Sequence, residues 1–148
     1  LSWAGLARMG LDLAVPVKRS QEDESLASFF RRRIGRQAFE RMIELGERFE
    51  EGVGGVIESR ELPWHVLRLG CRVEYLFRPD RACNGAEAAA GQDEKLDPYI
   101  HLYLLNRGIL MTPFHNMALM SPATTDDDVD RHTAVFRDSV TALLGEGA

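Results

Sequence analysis

The sequence predicts an α+β domain in which helices cover one side of a small, mainly antiparallel sheet. Three observations support this fold class: a helical repeat after Arg36, a period-two pattern on both sides of Gly70, and a capped helical repeat after Thr125. Helices with one apolar face and strands with alternating polarity bury their apolar sides against each other, and one layer of each forms a small core.

The first repeat predicts a long amphipathic helix. From Arg36 onward, apolar residues recur at steps of three and four, while glutamates and arginines fill the other face, which is typical of a helix of about five turns. Three glycines weaken its C-terminal end, because each costs about 1 kcal/mol relative to alanine inside a helix. These glycines are Gly52, Gly54 and Gly55, and the predicted buried face consists of Phe39, Met42, Ile43, Gly46, Phe49, Val53, Val56 and Ile57.

A strand pair is predicted next. Between Leu62 and Pro79, apolar and polar residues alternate, and β-branched and aromatic residues are enriched. This pattern predicts two strands, with a bulge or a bend at Gly70. The small residues from Arg81 to Lys95 predict a connection that holds a short helix at positions 86–90.

The C-terminal segment predicts a helix, a second pair of short strands and a final helix. The first of these helices ends near Gly108, because glycine provides a left-handed cap. The strands are expected at 109–112 and 117–121, and Thr124 or Thr125 caps the last helix. The expected apolar faces consist of Leu96, Ile100, Tyr103 and Leu104 in the first helix, and of Val129, His132, Thr133, Phe136, Val140, Leu143 and Leu144 in the last.

Length and composition exclude several classes of function. The 148 residues suit one domain, and the net charge of −5 implies no basic face, so we expect no binding to nucleic acid. No apolar run approaches the roughly 18 residues of a membrane span, so we expect no membrane contact. Cys71 and Cys83 form neither a disulfide framework nor a metal motif, and we therefore expect a reduced, cytoplasmic setting.

Residues 1–34 fit no pattern that we can assign. They include a polar, charged stretch from Lys18 to Ser25 that predicts a linker or an exposed loop. We interpret residues 1–34 as an unassigned segment, non-native or disordered in part, and residues 35–148 as the domain. The first residue is Leu1 rather than methionine, which favours a fragment, a processed product or an incomplete reading frame.

Few residues point to chemistry. The four histidines, His65, His101, His115 and His132, share no metal motif, and a helix dipole explains the run Asp126–Asp128 better than a cation site. His115 and Asn116 lie in a strand-to-strand connection, where function often concentrates. The segment Phe114-His115-Asn116 is thus either an active-site loop or a simple turn.

Neither of the two lysines is a candidate for a Schiff base. Lys18 belongs to the polar stretch, and Lys95 precedes an amphipathic helix. Neither position suggests the apolar pocket that lowers the pKa of a lysine and prepares it for Schiff-base chemistry.

The segment from about Gly35 to Leu144 resembles a known domain. Three stretches carry the resemblance: "AFERMIELGERFEEGV", "VLRLGCRVEYLF" and "HLYLLNRGILMTPFHNMALMSPATTDDDVDR". They are similar to the C-terminal small domain of class III, fold type I, pyridoxal-phosphate aminotransferases, in the branch of the glutamate-1-semialdehyde aminomutases.

The resemblance implies a homodimeric enzyme that uses pyridoxal phosphate to move an amino group. In this family a large domain carries the Schiff-base lysine, the aspartate at the pyridine nitrogen and the phosphate site, and none of these is recognisable in this sequence. The resemblance also implies that Phe114, His115 and Asn116 face the substrate side of the cofactor pocket.

Two departures from the family pattern leave the substrate open. The aminomutases tend to have an acidic residue where Asn116 stands. Many other class III members place a carboxylate-binding arginine in the strand that follows, whereas this strand reads Met117-Ala118-Leu119-Met120. An amino or keto acid bound through another arginine, in the large domain, is compatible with both.

The sequence therefore predicts the C-terminal fragment of a pyridoxal-phosphate-dependent aminotransferase or aminomutase. We expect the chain to be inactive alone, to bind no cofactor covalently and to require the missing large domain as its partner. We predict no catalytic, cofactor-binding or metal-binding residues within it. The alternative is a stand-alone, non-catalytic α+β module for interaction or dimerisation.

Overall fold

A long helix, α3 (Arg36–Ser59), organises the packing of the domain. The computed structural model describes residues 1–18, 22–112 and 115–145. The other elements are α1 (Trp3–Gly10), a short 3-10 helix (Leu11–Ala14), α2 (Leu26–Ile34), β1 (His65–Leu69), β2 (Arg72–Leu76), α4 (Gly85–Ala89), α5 (Leu96–Leu105), β3 (Met117–Leu119) and α6 (Asp126–Leu143). These elements confirm the predicted α+β class.

Helix α3 buries one face along most of its length. The buried residues recur at steps of three and four from Phe39 to Ile57, as the sequence predicts. Leu45 is fully buried in addition, whereas Ile43 is only half-buried. The helix continues through its three C-terminal glycines to Ser59, because Val53, Val56 and Ile57 pack into the core and outweigh the weak helix propensity of glycine.

The sheet contains three antiparallel strands in the order β1-β2-β3. β1 and β2 form a hairpin in which Leu69 pairs with Arg72. Gly70 lies in the turn with a φ of 64°, a left-handed conformation that suits glycine. β3 pairs with the other edge of β2, where Val73 faces Ala118. Gly70 therefore turns the chain between two strands.

The two faces of β2 have different surroundings. Val73 and Tyr75 are fully buried, and the ring centroid of Tyr75 lies 4.9 Å from that of Phe136 in α6. Because side chains alternate along a strand, Arg72 and Glu74 lie on the opposite face, away from α6. The helix layer thus covers one side of the sheet, as predicted.

The strand predicted at 109–112 is wrong. Within the described ranges, this segment joins no strand, and the sheet stops at β3. The N–H of Ile109 donates to the carbonyl of Leu104 at 3.0 Å, where it closes the end of α5. Pro113 has no N–H to donate. Within 109–112, the amide of Ile109 is therefore unavailable for a ladder with β3. The following predicted strand is present and shorter than expected.

Both predicted caps are confirmed. Gly108 follows α5 with a φ of 79°, and Thr125 forms a capping box with Asp128 at the start of α6. The N–H of Thr125 donates to the Asp128 carboxylate at 2.9 Å, and this bond lowers the pKa of Asp128. The first turn of α6 also connects it to α3, because Asp126 pairs with Arg41.

The described part of residues 1–34 is mostly helical. Arg8, in α1, donates to the carbonyl of Arg32 at 2.6 Å, and Arg33 pairs with Asp12 at 2.7 Å. Large apolar side chains on this segment remain exposed, including Trp3 (88%) and Leu13 (98%). Polar contacts thus account for much of its packing, and its assignment as a segment apart from the domain stays a prediction.

His132 lies in the core, as the sequence predicts. Its side chain is in van der Waals contact with aromatic rings, with its centroid 4.4 Å from that of Phe49. Neither ring nitrogen has a hydrogen-bond partner in the described structure. Burial lowers the pKa of His132 from its ordinary value of 6.5 to about 4, because a buried imidazolium loses its hydration. His132 is therefore neutral near pH 7.

A substitution at Gly46 tests the packing of α3 on the β1–β2 hairpin. A Cβ at this position would lie 2.8 Å from the carbonyl oxygen of Gly70 and 3.2 Å from the Cα of Cys71. Gly46→Ala should therefore destabilise the fold by about 1–3 kcal/mol, since the backbone must shift. Urea unfolding measures this change.

Gly54→Ala is the matched control in the same helix. Apart from the neighbouring backbone of α3 itself, no described atom lies within 4 Å of a Cβ at Gly54. This variant should gain about 0.5–1 kcal/mol from helix propensity alone. Equal stability of the Gly46→Ala and Gly54→Ala variants would contradict the close approach of α3 to the hairpin.

The lowered pKa of His132 predicts that the fold loses stability in acid. Since its folded pKa of about 4 lies below the ordinary 6.5, the unfolded chain binds a proton that the folded chain does not. The contribution of His132 to the free energy of unfolding is fully present above pH 6.5. It decreases by about 3 kcal/mol as the pH falls to 4. Urea unfolding of the wild type and His132→Leu across this range measures it. The free energy of unfolding of His132→Leu should lack this dependence on pH. If it depends on pH as in the wild type, the pKa of His132 is not lowered in the folded state.

Candidate functional site

A cavity of about 280 Å³ lies on the face of the sheet that the helix layer leaves uncovered. Strand β2, helix α4, the start of α5 and the residues before β3 enclose it. Its polar side chains are Arg72, Glu74, Gln92, Asp97, His115 and Asn116, and its apolar ones include Leu76, Phe77 and Ala88. A small cavity in which several polar groups converge is the usual form of a binding site.

Glu74 is the most buried charged group of the cavity. It is 8% exposed, although it lies on the face of β2 away from the core. Its Oε2 accepts a hydrogen bond from Nη2 of Arg72 at 2.6 Å, and its Oε1 lies 3.3 Å from Nδ1 of His115. Such pairing compensates a carboxylate for the hydration that burial removes.

Asn116 joins the loop before β3 to helix α5. Its Nδ2 donates to Oδ1 of Asp97 at 2.7 Å, and its carbonyl accepts from the N–H of Tyr75 at 3.2 Å. The other carboxylate oxygen of Asp97 accepts from the N–H of Asp93 at 3.1 Å. Asn116 is 9% exposed. Its amide nitrogen thus holds the start of α5 against the sheet.

His115 lies at the open edge of the cavity. Its side chain is 51% exposed, and its N–H donates to the carbonyl of Thr112 at 3.3 Å. The structure therefore brings two of the three predicted substrate-facing residues, His115 and Asn116, to the wall of one cavity. The third, Phe114, lies outside the described residues. That the three face a substrate stays a prediction.

Three charged residues of the cavity, Arg72, Glu74 and Asp97, are not among the predicted site residues. Arg72 and Glu74 alternate with Val73 in an otherwise apolar strand, and two opposite charges at alternate positions indicate a shared polar face. That signal was available in the sequence. Asp97 gave no such signal, because an acidic residue in the first turn of a helix is ordinary.

The histidines His65 and His101 do not line the cavity. Nδ1 of His65 lies 2.7 Å from the carbonyl oxygen of Arg78, and His101 is half-buried. Across residues 1–18, 22–112 and 115–145, no group of three or more histidine, cysteine, aspartate or glutamate residues is arranged to hold a metal ion. No helix in these ranges is long and apolar enough to cross a membrane.

Neither lysine lines this cavity. Lys95 is exposed, and the Nζ of Lys18 donates to the carbonyl of Glu22 at 2.7 Å. A lysine that forms a Schiff base is normally held in an apolar pocket or beside another cation. Neither lysine has these surroundings.

Comparison with known proteins identifies relatives of one kind over most of the chain. No protein-family model matches the sequence. A glutamate-1-semialdehyde 2,1-aminomutase from Sorangium cellulosum (strain So ce56) is 29% identical over 105 residues, which are 70% of this chain and 24% of that protein. A 43-residue match, 42% identical, to a coproporphyrinogen III oxidase from Bacillus subtilis (strain 168) covers 29% of this chain and 9% of that protein; it is too short to show a family.

A solved structure gives the same relationship. A glutamate-1-semialdehyde aminomutase from Pseudomonas aeruginosa PAO1 is 36% identical with a TM-score of 0.73, over 88% of this chain and 33% of that chain. A variant of that enzyme was solved in complex with PMP. This chain thus spans about a quarter of the length of its curated aminomutase relative and a third of the solved chain.

The contact between Asn116 and Asp97 predicts a charge effect on folding. Asn116→Asp places two carboxylates in contact, so it should cost about 1–3 kcal/mol of stability near neutral pH. The loss should decrease as the pH falls through the carboxyl range, because protonation of one group restores a hydrogen bond. Urea unfolding at several pH values measures it.

A double variant provides the control for this effect. Asp97→Asn combined with Asn116→Asp restores one amide and one carboxylate with their positions exchanged. This combination should recover most of the stability near neutral pH. If it is no more stable than Asn116→Asp alone, the contact does not determine the loss.

Proposed function

Because this chain belongs to the class III pyridoxal-phosphate aminotransferases, in the branch of the glutamate-1-semialdehyde aminomutases, we propose that it is the C-terminal small domain of such an enzyme. The observation that carries the proposal is the combined sequence and structural similarity to the P. aeruginosa aminomutase over most of the chain. The reaction of the whole enzyme would be the movement of an amino group on an amino or keto acid.

The described residues do not fit the cofactor by themselves. Pyridoxal phosphate supplies the electron sink for amino-group chemistry, and the protein supplies a lysine, a partner for the pyridine nitrogen and a phosphate site. Lys95 is exposed, and the Nζ of Lys18 donates to the carbonyl of Glu22. The one arginine on the wall of the cavity, Arg72, is paired with Glu74. We therefore propose that the chain alone neither holds the cofactor covalently nor catalyses transamination.

The contribution of this domain would be one wall of the substrate pocket. His115 and Asn116 line the cavity, and Phe114 immediately precedes them in the sequence. The carbonyl of Asn116 is bonded to β2 and its amide to α5, so the wall is held on two sides. Fixed polar groups that need no rearrangement orient a ligand at low entropic cost.

The missing partner would be the large catalytic domain, within a homodimeric enzyme. Apolar residues near the sheet support a covered surface, since Leu69 is 70%, Leu110 74% and Leu119 65% exposed. Surfaces of this kind commonly mark contacts with another domain or chain. We also propose a cytoplasmic setting, because Cys71 and Cys83 are free thiols, as in a reducing compartment.

A cofactor titration tests the proposed inactivity. Addition of pyridoxal phosphate to the chain should give no stable absorption band of a lysine-bound cofactor, and no amino-group transfer between an amino acid and a keto acid. Lys18→Ala and Lys95→Ala are the matched controls, because they remove the only lysines. A stable band in the wild type that one of these variants loses would contradict the proposal.

The origin of the chain has a separate test. We propose that it is a fragment of a longer aminotransferase gene. The DNA upstream, translated in all frames, should then encode a large domain with its lysine. An intact, unrelated coding region in that place would refute this part of the proposal.

A further inference from the structure

We propose that Glu74 is a positioning residue for His115, and that it holds the proton of this imidazole on Nδ1 so that Nε2 is left as a proton acceptor at the cavity. The inference deepens the proposed function and rests on it in one respect, namely that the cavity binds the substrate. The position of the proton is a property of this chain alone, and it can be measured without cofactor or substrate.

The carboxylate of Glu74 lies between two partners, Arg72 and His115. Oε1 of Glu74 lies 3.3 Å from Nδ1 of His115, whereas Oε2 accepts from Arg72 at 2.6 Å. The two oxygens therefore have different partners, one on each side. Arg72 comes from the same strand, two residues away, and fixes the direction in which the carboxylate faces the histidine.

Glu74 and His115 differ in their exposure to water. The side chain of Glu74 is 10% exposed and that of His115 is 51% exposed. A carboxylate with so little access to water depends on protein donors. An ionised carboxylate only accepts hydrogen bonds. It therefore favours a proton on the ring nitrogen that faces it.

The proton on Nδ1 determines the state of the other ring nitrogen of His115, Nε2. Nδ1 and Nε2 lie on opposite edges of the imidazole, so a proton on Nδ1 leaves a lone pair on Nε2 in the neutral ring. With Nδ1 directed to the buried carboxylate, Nε2 is on the side of the ring turned away from it. His115 lines the cavity together with Asn116. A ligand bearing an N–H or O–H group, such as an amino acid, would find an acceptor there.

An ordinary structural role for Glu74 gives a different expectation. If the carboxylate served only to pair with Arg72, the proton of His115 would follow the preference of free histidine, which is Nε2. The tautomer of His115 therefore separates the two roles. Stability alone does not, because loss of a buried charge partner destabilises the fold in both cases.

The test is a long-range ¹H–¹⁵N correlation spectrum of the imidazole nitrogens in the full chain. It is recorded at about pH 8.5, roughly two units above the ordinary histidine pKa. The wild type should show His115 mainly as the Nδ1–H form. Glu74→Leu should shift the population of His115 to the Nε2–H form.

His65 is an internal control in the same spectrum. Its Nδ1 lies 2.7 Å from the carbonyl oxygen of Arg78, which can only accept, so His65 should stay in the Nδ1–H form in both proteins. A His115→Asn variant assigns the signals. If Glu74→Leu does not fold, the wild-type spectrum still decides, since a mainly Nε2–H form of His115 overturns the proposal. An unchanged Nδ1–H form in a folded Glu74→Leu variant overturns it as well.

Discussion

The fold depends on the close packing of α3 against the turn of the β1–β2 hairpin. Gly46 lets the helix approach the backbone of Gly70 so closely that one added carbon atom would overlap with it. This approach presses the apolar face of α3 onto the buried side of the sheet, where Val73 and Tyr75 lie. Helix α6 then completes the same layer, and salt bridges from α3 to its first turns set its position.

The one-sided layer explains where the candidate site lies. Because all large helices pack on one face of the sheet, the other face of β2 can present charged residues to a cavity. Glu74 is nevertheless buried, since the loop with His115 and the start of α5 cover it. The cavity therefore forms because the helices pack on the other face of the sheet. Its polar groups are fixed by the same hydrogen bonds that hold the loop and α5 to the sheet.

Much of this fold can be predicted from the sequence. The periodic patterns of α3, the hairpin and α6, and the caps at Gly108 and Thr125, depend on local chemistry that each segment carries by itself. The failure at 109–112 has a different origin. The apolar pattern of 109–112 does not show whether its N–H groups find partners in a sheet. Those partners depend on the end of α5 before the segment and on the proline after it.

The site could be predicted only in part. The position of His115 and Asn116 in a loop is visible in the sequence, but the contact with Glu74 joins residues that are 41 positions apart, 74 and 115. Asp97 and Asn116 meet in the same way, through tertiary packing. The spacing of residues in the sequence does not predict such contacts when the two residues belong to different elements.

The order β1-β2-β3 has a consequence for the isolated chain. Among the described residues, no strand pairs with the outer edge of β1, which ends at the exposed Leu69. An open edge carries a row of unpaired amide and carbonyl groups, and a second chain can add to it strand by strand. The five-residue edge of β1 is therefore the place where a strand of another domain or chain can add to this sheet.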